Sequence, residues 1–576
     1  LIITFSFLPI FALEAQEGRL FHPLAYTKTY AMAGAAMLSV TLVPVLMGYF
    51  IRGKILPEHK NPVNWLLMTI YKPFINLVLK APSAMILVAI LVMMSALIPL
   101  NRMGSEFMPD LDEGDLLYMP SAFPAVSAGK MSQILQQTNK LIMTVPEVET
   151  AYAKAGRADT ATDPAPLTMV ETTIRLKPKE EWREGMTTEK LKKELDNLVQ
   201  VPSLTNVWIM PIKNRIDMLA TGIKTPIGIK VAGPDLDVIG DVAQQIEAVI
   251  KNVPGTASVY AERVTGGRFV DVDIKREEAA RFGLNVADVQ AFVQTAIGGM
   301  TVTQSVEGLE RYPVVTKTGA QIPLSRLVDI SISGGPGVIR SENARLNGWI
   351  YVDISNVDIG SYVKNAKKSV ETIDLPAGYS LSWSGQYEYM ERAKQRLSVV
   401  VPLTLVIILL LLFLNFRRIT PVLIIMGTLP LALVGGLWFL DILGYNMSVA
   451  VGVGFIALAG VSVEIGVLMI VYLEHALEDQ MKQARDENRE LTRADLRASV
   501  IDGALLRVRP IMMTVAVVIA GLLPIMLGTG TGSEVMRRIA APMVGGMTSA
   551  TILTLLVIPA AFLIWKTLAL KLPKTR

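Results

Sequence analysis

Residues 454–473 read GFIALAGVSVEIGVLMIVYL, a run of twenty in which Glu464 is the only charged residue. About 20 apolar residues cross the ~30 Å hydrocarbon core of a bilayer as a helix, so this stretch predicts a membrane span. A carboxyl at mid-span costs at least ~2.5 kcal/mol, which marks Glu464 as a candidate for proton handling. The bland alternative is a structural carboxyl hydrogen-bonded between helices. Carried outward, the same criterion predicts spans at 27–49, 83–100, 398–414, 420–440, 446–473, 508–528 and 538–565. Leu1 stands inside the apolar run LIITFSFLPIFAL with neither an initiator Met nor a basic n-region. That run therefore reads as the end of a span begun elsewhere, and the chain as a fragment, rather than as a signal peptide.

The expected organisation has three parts. Residues 1–100 hold the end of one truncated span, two full transmembrane helices and a cytoplasmic amphipathic linker. Residues 101–397 are polar and well patterned, and 398–576 hold five transmembrane helices with a loop at 474–507.

Composition agrees with membrane blocks joined to a water-exposed domain. Apolar residues make up 51% of the 576, yet 55 Lys+Arg stand against 51 Asp+Glu. The mean hydropathy is +0.43, too high for an ordinary soluble chain of this length. The basic residues are dispersed, which argues against nucleic acid as a partner. There are no cysteines, so disulfides and thiolate zinc sites are excluded. Only three histidines occur, His22, His59 and His475, far apart in the chain, whereas there are 28 methionines.

Lys and Arg in the short loops give the sidedness. Segment 50–82 carries Arg52, Lys54, Lys60, Lys72 and Lys80, and the turn at 415–419 carries Arg417 and Arg418. Segment 474–507 carries Lys482, Arg485, Arg489, Arg493, Arg497 and Arg507, and the tail holds Lys571, Lys574 and Arg576. Alternating spans put all four on one side, which is therefore read as cytoplasmic. The opposite loops (14–26, 441–445, 529–537) are poorer in Lys and Arg, with Arg537 and Arg538 the main exceptions. The large domain is accordingly expected in the periplasm.

Within 101–397, short β-rich runs alternate with amphipathic helices. DLLYMPSAFP, VETAYAKAG, VETTIRLK and VWIMPI read as strands, and SAGKMSQILQQTNKLIMTV and TTEKLKKELDNLVQ as helices. A second round follows in IGIKVAG, DLDVIGDVAQQIEAVIKNV and ASVYAERV. Twice a helix runs into Val-Pro and then a strand, at KLIMTVPEVETAYA and EAVIKNVPGTASVYA. The fold class is thus α+β: a transmembrane helix bundle with a water-exposed domain of two βαβ, ferredoxin-like subdomains. The less patterned stretch 266–345 reads as a separate, more extended subdomain.

This layout resembles the second half of a resistance-nodulation-division (RND) efflux pump, and the likeness covers essentially the whole chain. The strings NRIDMLATGIKTPIGIKV, APLTMVETTI, RVRPIMMT and GTGTGSEVMRRIAAPMVGGM look specifically like the copper(I)/silver(I) branch of the heavy-metal group. The resemblance implies a proton-driven homotrimer in the inner membrane, with a periplasmic adaptor and an outer-membrane channel as partners and 266–345 as a docking part. It implies no cofactor; the metal ion is cargo. Two departures stand out. After Glu310-Arg311-Tyr312-Pro313 the family's longer strand and loop are missing, and Ile511 occupies the place of a lysine expected to partner Glu464.

By the same resemblance, Met119, Met169 and Met218 match three sulfur ligands of the periplasmic cleft. The chemistry suits them: copper(I) and silver(I) are soft ions that favour sulfur, and a thioether neither forms disulfides nor needs deprotonation. The competing reading is core packing, because Met is a common gap filler. Glu171, Arg215 and Lys224 match charged positions near that cleft, or are solvated charges on strand ends. Met32, Met47 and Met536 match methionines that would pass metal along from the cytoplasmic side, or are lipid-facing and interhelical.

Other classes lack their marks. Gly129-Lys130 is followed by Met131 and is no phosphate loop, and neither a nucleophile elbow nor an HExxH is present. An RND pump for zinc, cobalt or cadmium would want carboxylates and His at the three Met positions. A multidrug pump would want more than 7% aromatics.

Overall fold

The computed structural model describes residues 2–51, 61–109, 111–124, 126–156, 165–202, 204–299, 314–315, 319, 321–323, 326–336, 338–530 and 532–570. Arg52, Lys54, Lys60 and His59, the Glu310–Pro313 motif, and Lys571, Lys574 and Arg576 lie outside them.

Among the described residues, seven helices are long and apolar enough to cross a membrane: Glu17–Phe50, Pro82–Arg102, Gln386–Phe416, Ile419–Ile442, Val449–Asp486, Arg493–Leu527 and Ser533–Ala569. The Ile419–Ile442, Val449–Asp486 and Ser533–Ala569 helices form the tight centre of the bundle. Their backbones touch: a Cβ on Gly435 would lie 2.3 Å from the Gly545 carbonyl oxygen, and one on Gly545 would lie 2.4 Å from that of Gly435. Small residues at such crossings let helices approach where no water is available to drive association. Helix Glu17–Phe50 is the opposite case, with no residue of its most apolar window buried.

The expected loop at 474–507 is mostly helix. The Val449 helix runs on to Asp486, and Thr492 starts the next with a capping box closed by Asp495. Only six residues separate the two helices, because Glu, Lys, Arg and Gln favour helix even where they cannot be buried. The linker likewise contains helix Pro62–Val78, started by the Asn61 side chain. It buries Tyr71, whose hydroxyl donates to the Leu555 carbonyl at 2.6 Å, and leaves Trp65, Leu66, Ile70, Phe74 and Leu77 exposed. Arg538 and Arg537 are both engaged: Arg538 pairs with Glu106 at 3.0 Å, and Arg537 donates to the Gly528 carbonyl.

Two antiparallel sheets of the same topology make up most of the polar region. In the first, β1 (Asp115–Tyr118), β2 (Val148–Ala155), β3 (Val170–Leu176) and β4 (Trp208–Ile209) lie in the order β2-β3-β1-β4. Helices Ala128–Ile142 and Thr188–Leu198 cover it, enclosing Leu116, Ile142, Ile174, Leu191 and Leu195. In the second, β5 (Ile227–Gly233), β6 (Thr256–Ala261), β7 (Arg345–Ile354) and β8 (Ser380–Gly385) lie in the order β6-β7-β5-β8, with the short strand Arg340–Glu342 as a fifth beside β7. Helices Leu236–Ile250 and Ile359–Val370 pack on it over Ile229, Val231, Ile246, Val352 and Tyr362. Both are split βαβ units. The third subdomain is inserted between β6 and β7. Its strands Gly267–Ile274 and Val328–Gly335 pair along eight residues each.

Two expected strands differ from the structure. DLLYMPSAFP breaks after Tyr118, and pairing resumes only at Ser121–Ala122. Pro120 has no N–H to give a ladder, while Met119 N donates to the Val207 carbonyl. VWIMPI shortens to Trp208–Ile209 because Pro211 opens a helix, Pro211–Thr221. Proline suits the first helical position, where no intrahelical N–H bond is due.

Candidate metal site

Helix Pro211–Thr221 and the Tyr118–Ser121 break build one site between the two sheets. The helix begins without a cap of its own, since Met210 offers no side-chain bond. The Glu113 carboxylate fills that role, accepting from Ile212 N at 2.7 Å and Lys213 N at 2.9 Å. An anion there also matches the positive end of the helix dipole. The helix ends at Gly222, whose φ of 77° is left-handed and where a Cβ would lie 2.2 Å from the Trp349 ring. A side chain at 222 would meet both penalties.

On this helix Asn214 and Met218 are four residues apart and share a face. Asn214 is buried and its amide nitrogen stands 3.0 Å from the Met119 sulfur and 3.2 Å from the Met218 sulfur. Two of the three proposed sulfur ligands are therefore held on one small group. Met119 is fully buried. Met169 stands on the neighbouring edge: its backbone pairs with Ser121, with Ala122 N donating to the Thr168 carbonyl and Val170 N to that of Pro120. This makes Met169 a diagonal cross-strand neighbour of Met119, a backbone spacing of about 7–8 Å.

The charged residues separate. Lys224 is buried against the Tyr118–Ser121 break, donating to the Met119 carbonyl at 3.1 Å and to Ser121 Oγ at 2.5 Å. Burial brings its ammonium down to about 7, against the opposing pull of Glu262 and Glu171. Glu171, half-buried on β3, pairs with Lys154 across the strands at 3.0 Å. Arg215 is exposed. Asp217 is buried next to Met218 and accepts from the Gln386 amide at 3.2 Å. Asn214, Ser121, Glu113 and Gln386 are absent from the sequence reading. Asn214 and Met218 would have stood out by their spacing had the helix been recognised; Glu113 and Gln386 act over long separations and leave no local mark.

The membrane candidates lie apart from this site. Met47 and Met536 are exposed, at 53% and 44%, and Met32 is half-buried. Glu464 is exposed midway along the Val449–Asp486 helix. Ile511 is buried among Met469, Leu505, Val508 and Val515.

The chain matches the AcrB/AcrD/AcrF family over residues 1–566. It is 52% identical to the cation efflux system protein CusA of Escherichia coli (strain K12), aligned over 98% of this chain and 56% of that protein. The cobalt-zinc-cadmium resistance protein CzcA of Cupriavidus metallidurans is 34% identical over 98% of this chain and 54% of its own length. The chain thus spans about half the length of these relatives. A crystal structure of a heavy metal efflux pump superposes with a TM-score of 0.81 at 28% identity, covering 98% of this chain and 58% of that one. With bundle, paired split βαβ units and sequence in agreement from end to end, this multi-pass chain belongs to the AcrB/AcrD/AcrF family of RND transporters.

Proposed function

We propose that the chain is the C-terminal part of a pump that exports copper(I) and silver(I), and that Met119, Met169 and Met218 hold the ion on its way out. The observation that carries this reading is the placement of the Met119 and Met218 sulfurs on the same buried amide. Packing alone does not require two thioethers to converge on a polar group. The donors are neutral and soft, which suits a monovalent soft ion and lets it leave again. Among the described residues, no three His, Cys, Asp or Glu side chains gather as a hard-ion site would require. The 52% likeness to CusA against 34% to CzcA points the same way.

In this reading the polar region is periplasmic, the helices lie in the inner membrane, and proton entry drives transport, with Glu464 a member of the relay. Three copies would assemble with an adaptor and an outer-membrane channel. Met32, Met47 and Met536 would feed the site from the membrane side, facing surfaces that this chain leaves open. The site is tested by replacing Met119, Met169 and Met218 with Ile, singly and together, and titrating the purified chain with silver(I). Binding should weaken with each change and vanish in the triple variant. Undiminished affinity there would sink the assignment and revive the divalent-metal alternative.

A further inference from the structure

We infer that Asn214 guards the thioether pair: its amide stands against the sulfurs of both Met119 and Met218 and has to move aside before a soft ion can bind both. The inference rests on the reading of those two methionines as ligands, and adds to it a residue that sets how tightly the ion is held.

The argument starts from an amide that is poorly served. Asn214 is buried, and its nitrogen is directed at two thioethers, at 3.0 and 3.2 Å. A thioether is a weak acceptor. The amide oxygen is buried as well and has no hydrogen-bond partner among the described residues. A leucine of similar shape would fill the place without leaving a polar atom unsatisfied. Turning the amide over would set its oxygen lone pairs against those of both sulfurs, so the nitrogen-on-sulfur arrangement is the one that chemistry allows.

The N–H groups and the ion both seek the sulfurs. Each thioether sulfur has a second lone pair, but the one amide nitrogen stands within 3.0 and 3.2 Å of both sulfurs, where an ion bound to both on that side has to sit, so the amide and the ion compete for the same place. The ion must displace the amide on entry, and the amide returns as the ion departs. A guard of this kind weakens binding and eases release, as a site that passes its cargo onward requires. The rival role is that of a spacer, in which the amide merely holds the sulfurs in place; its removal would then weaken binding.

The two roles give opposite signs in one experiment. Silver nitrate is titrated into the purified chain in detergent, comparing the unaltered protein, Asn214→Leu and the Met119→Ile/Met218→Ile pair. Loss of two weak hydrogen bonds should make Asn214→Leu bind silver about tenfold more tightly, with slower release, while the double Ile variant loses binding. Equal or weaker binding by Asn214→Leu, with binding still dependent on the two methionines, overturns the guard. Binding that survives the double Ile change overturns the metal-site reading itself. If Asn214→Leu folds poorly, Asn214→Ala removes the same donor and is judged by the same sign. In the unaltered chain, the Asn214 side-chain amide resonance should shift with the same silver midpoint as the Met119 and Met218 methyls, and an amide that stays put overturns the proposal.

Discussion

Gln386 donates its side-chain amide to Asp217 at 3.2 Å, joining the helix that carries Asn214 and Met218 to the first turn of a membrane span. Both residues are buried, and Gln386 N also donates to the Pro226 carbonyl at the start of β5. One turn further on, Tyr389 packs on Phe107, and the Arg392 guanidinium lies over the Tyr389 ring near Glu17 of the first span. A shift of helix Pro211–Thr221 on ion binding therefore has a direct path to the bundle.

Gln386→Leu should break that path while sparing the metal site. Asp217 keeps its ion pair with Lys213 at 3.6 Å, and losing the amide bond to its carboxylate is expected to cost about 1–3 kcal/mol of stability. Silver binding by the purified chain should change by less than about threefold, which is under 1 kcal/mol, while silver resistance conferred by a full-length pump carrying the change falls sharply. Normal resistance would show that binding and transport are coupled elsewhere.

Zinc(II) should compete poorly. It prefers four N, O or thiolate donors, and the carboxylate nearest in sequence to Met169, on Glu171, is already paired with Lys154. In a competition titration, silver should be held at least ~100-fold more tightly than zinc. Lys154→Ala frees the carboxylate and should narrow that margin. Displacement of silver by zinc at similar concentrations would favour a divalent pump.

The spans were legible because about 20 apolar residues have few other uses, and β1–β6 because a repeated strand–helix–strand rhythm shows in short windows. What escaped is non-local. β7 and β8 complete the second sheet only after a subdomain is set between β6 and β7, so no local window shows which strand they pair with. The site helix escaped for another reason: Val207–Ile212 is apolar enough to read as one strand, and its initiating cap, Glu113, comes from another part of the chain. The methionines were singled out by their motifs, but the residue that joins two of them was not, because Asn214 looks like any polar helix position until the fold buries it.

Stability of the polar region should rise with pH above neutrality through Lys224. Burial lowers this lysine from near 10.5 in an open chain to about 7 when folded. Between those values the unfolded chain holds a proton that the folded chain gives up, so the contribution is most unfavourable below about pH 7 and improves as pH rises. Lys224→Met keeps the bulk and removes the titration. The slope of Tm between pH 7 and 9.5 should flatten in that variant; an unchanged slope would assign it to another group.

Glu464 and Ile511 give the last prediction. Glu464 is exposed on the bundle surface, and no hydrogen bond or ion pair reaches its carboxylate among the described residues. Ile511 points instead into the apolar core with Met469, Val508 and Val515. A lysine at 511 would therefore enter that core, and taking an ammonium out of water without a partner costs several kcal/mol. Ile511→Lys should lower the Tm of the purified chain rather than restore a pair with Glu464. Glu464→Gln keeps the shape and removes the ionisable oxygen. In a full-length pump it should abolish silver resistance while leaving silver binding within about twofold, since the carboxyl sits in the membrane and the sulfurs lie outside it. Proteoliposomes in which the Gln variant pumps at the normal rate would make Glu464 structural and move proton entry elsewhere.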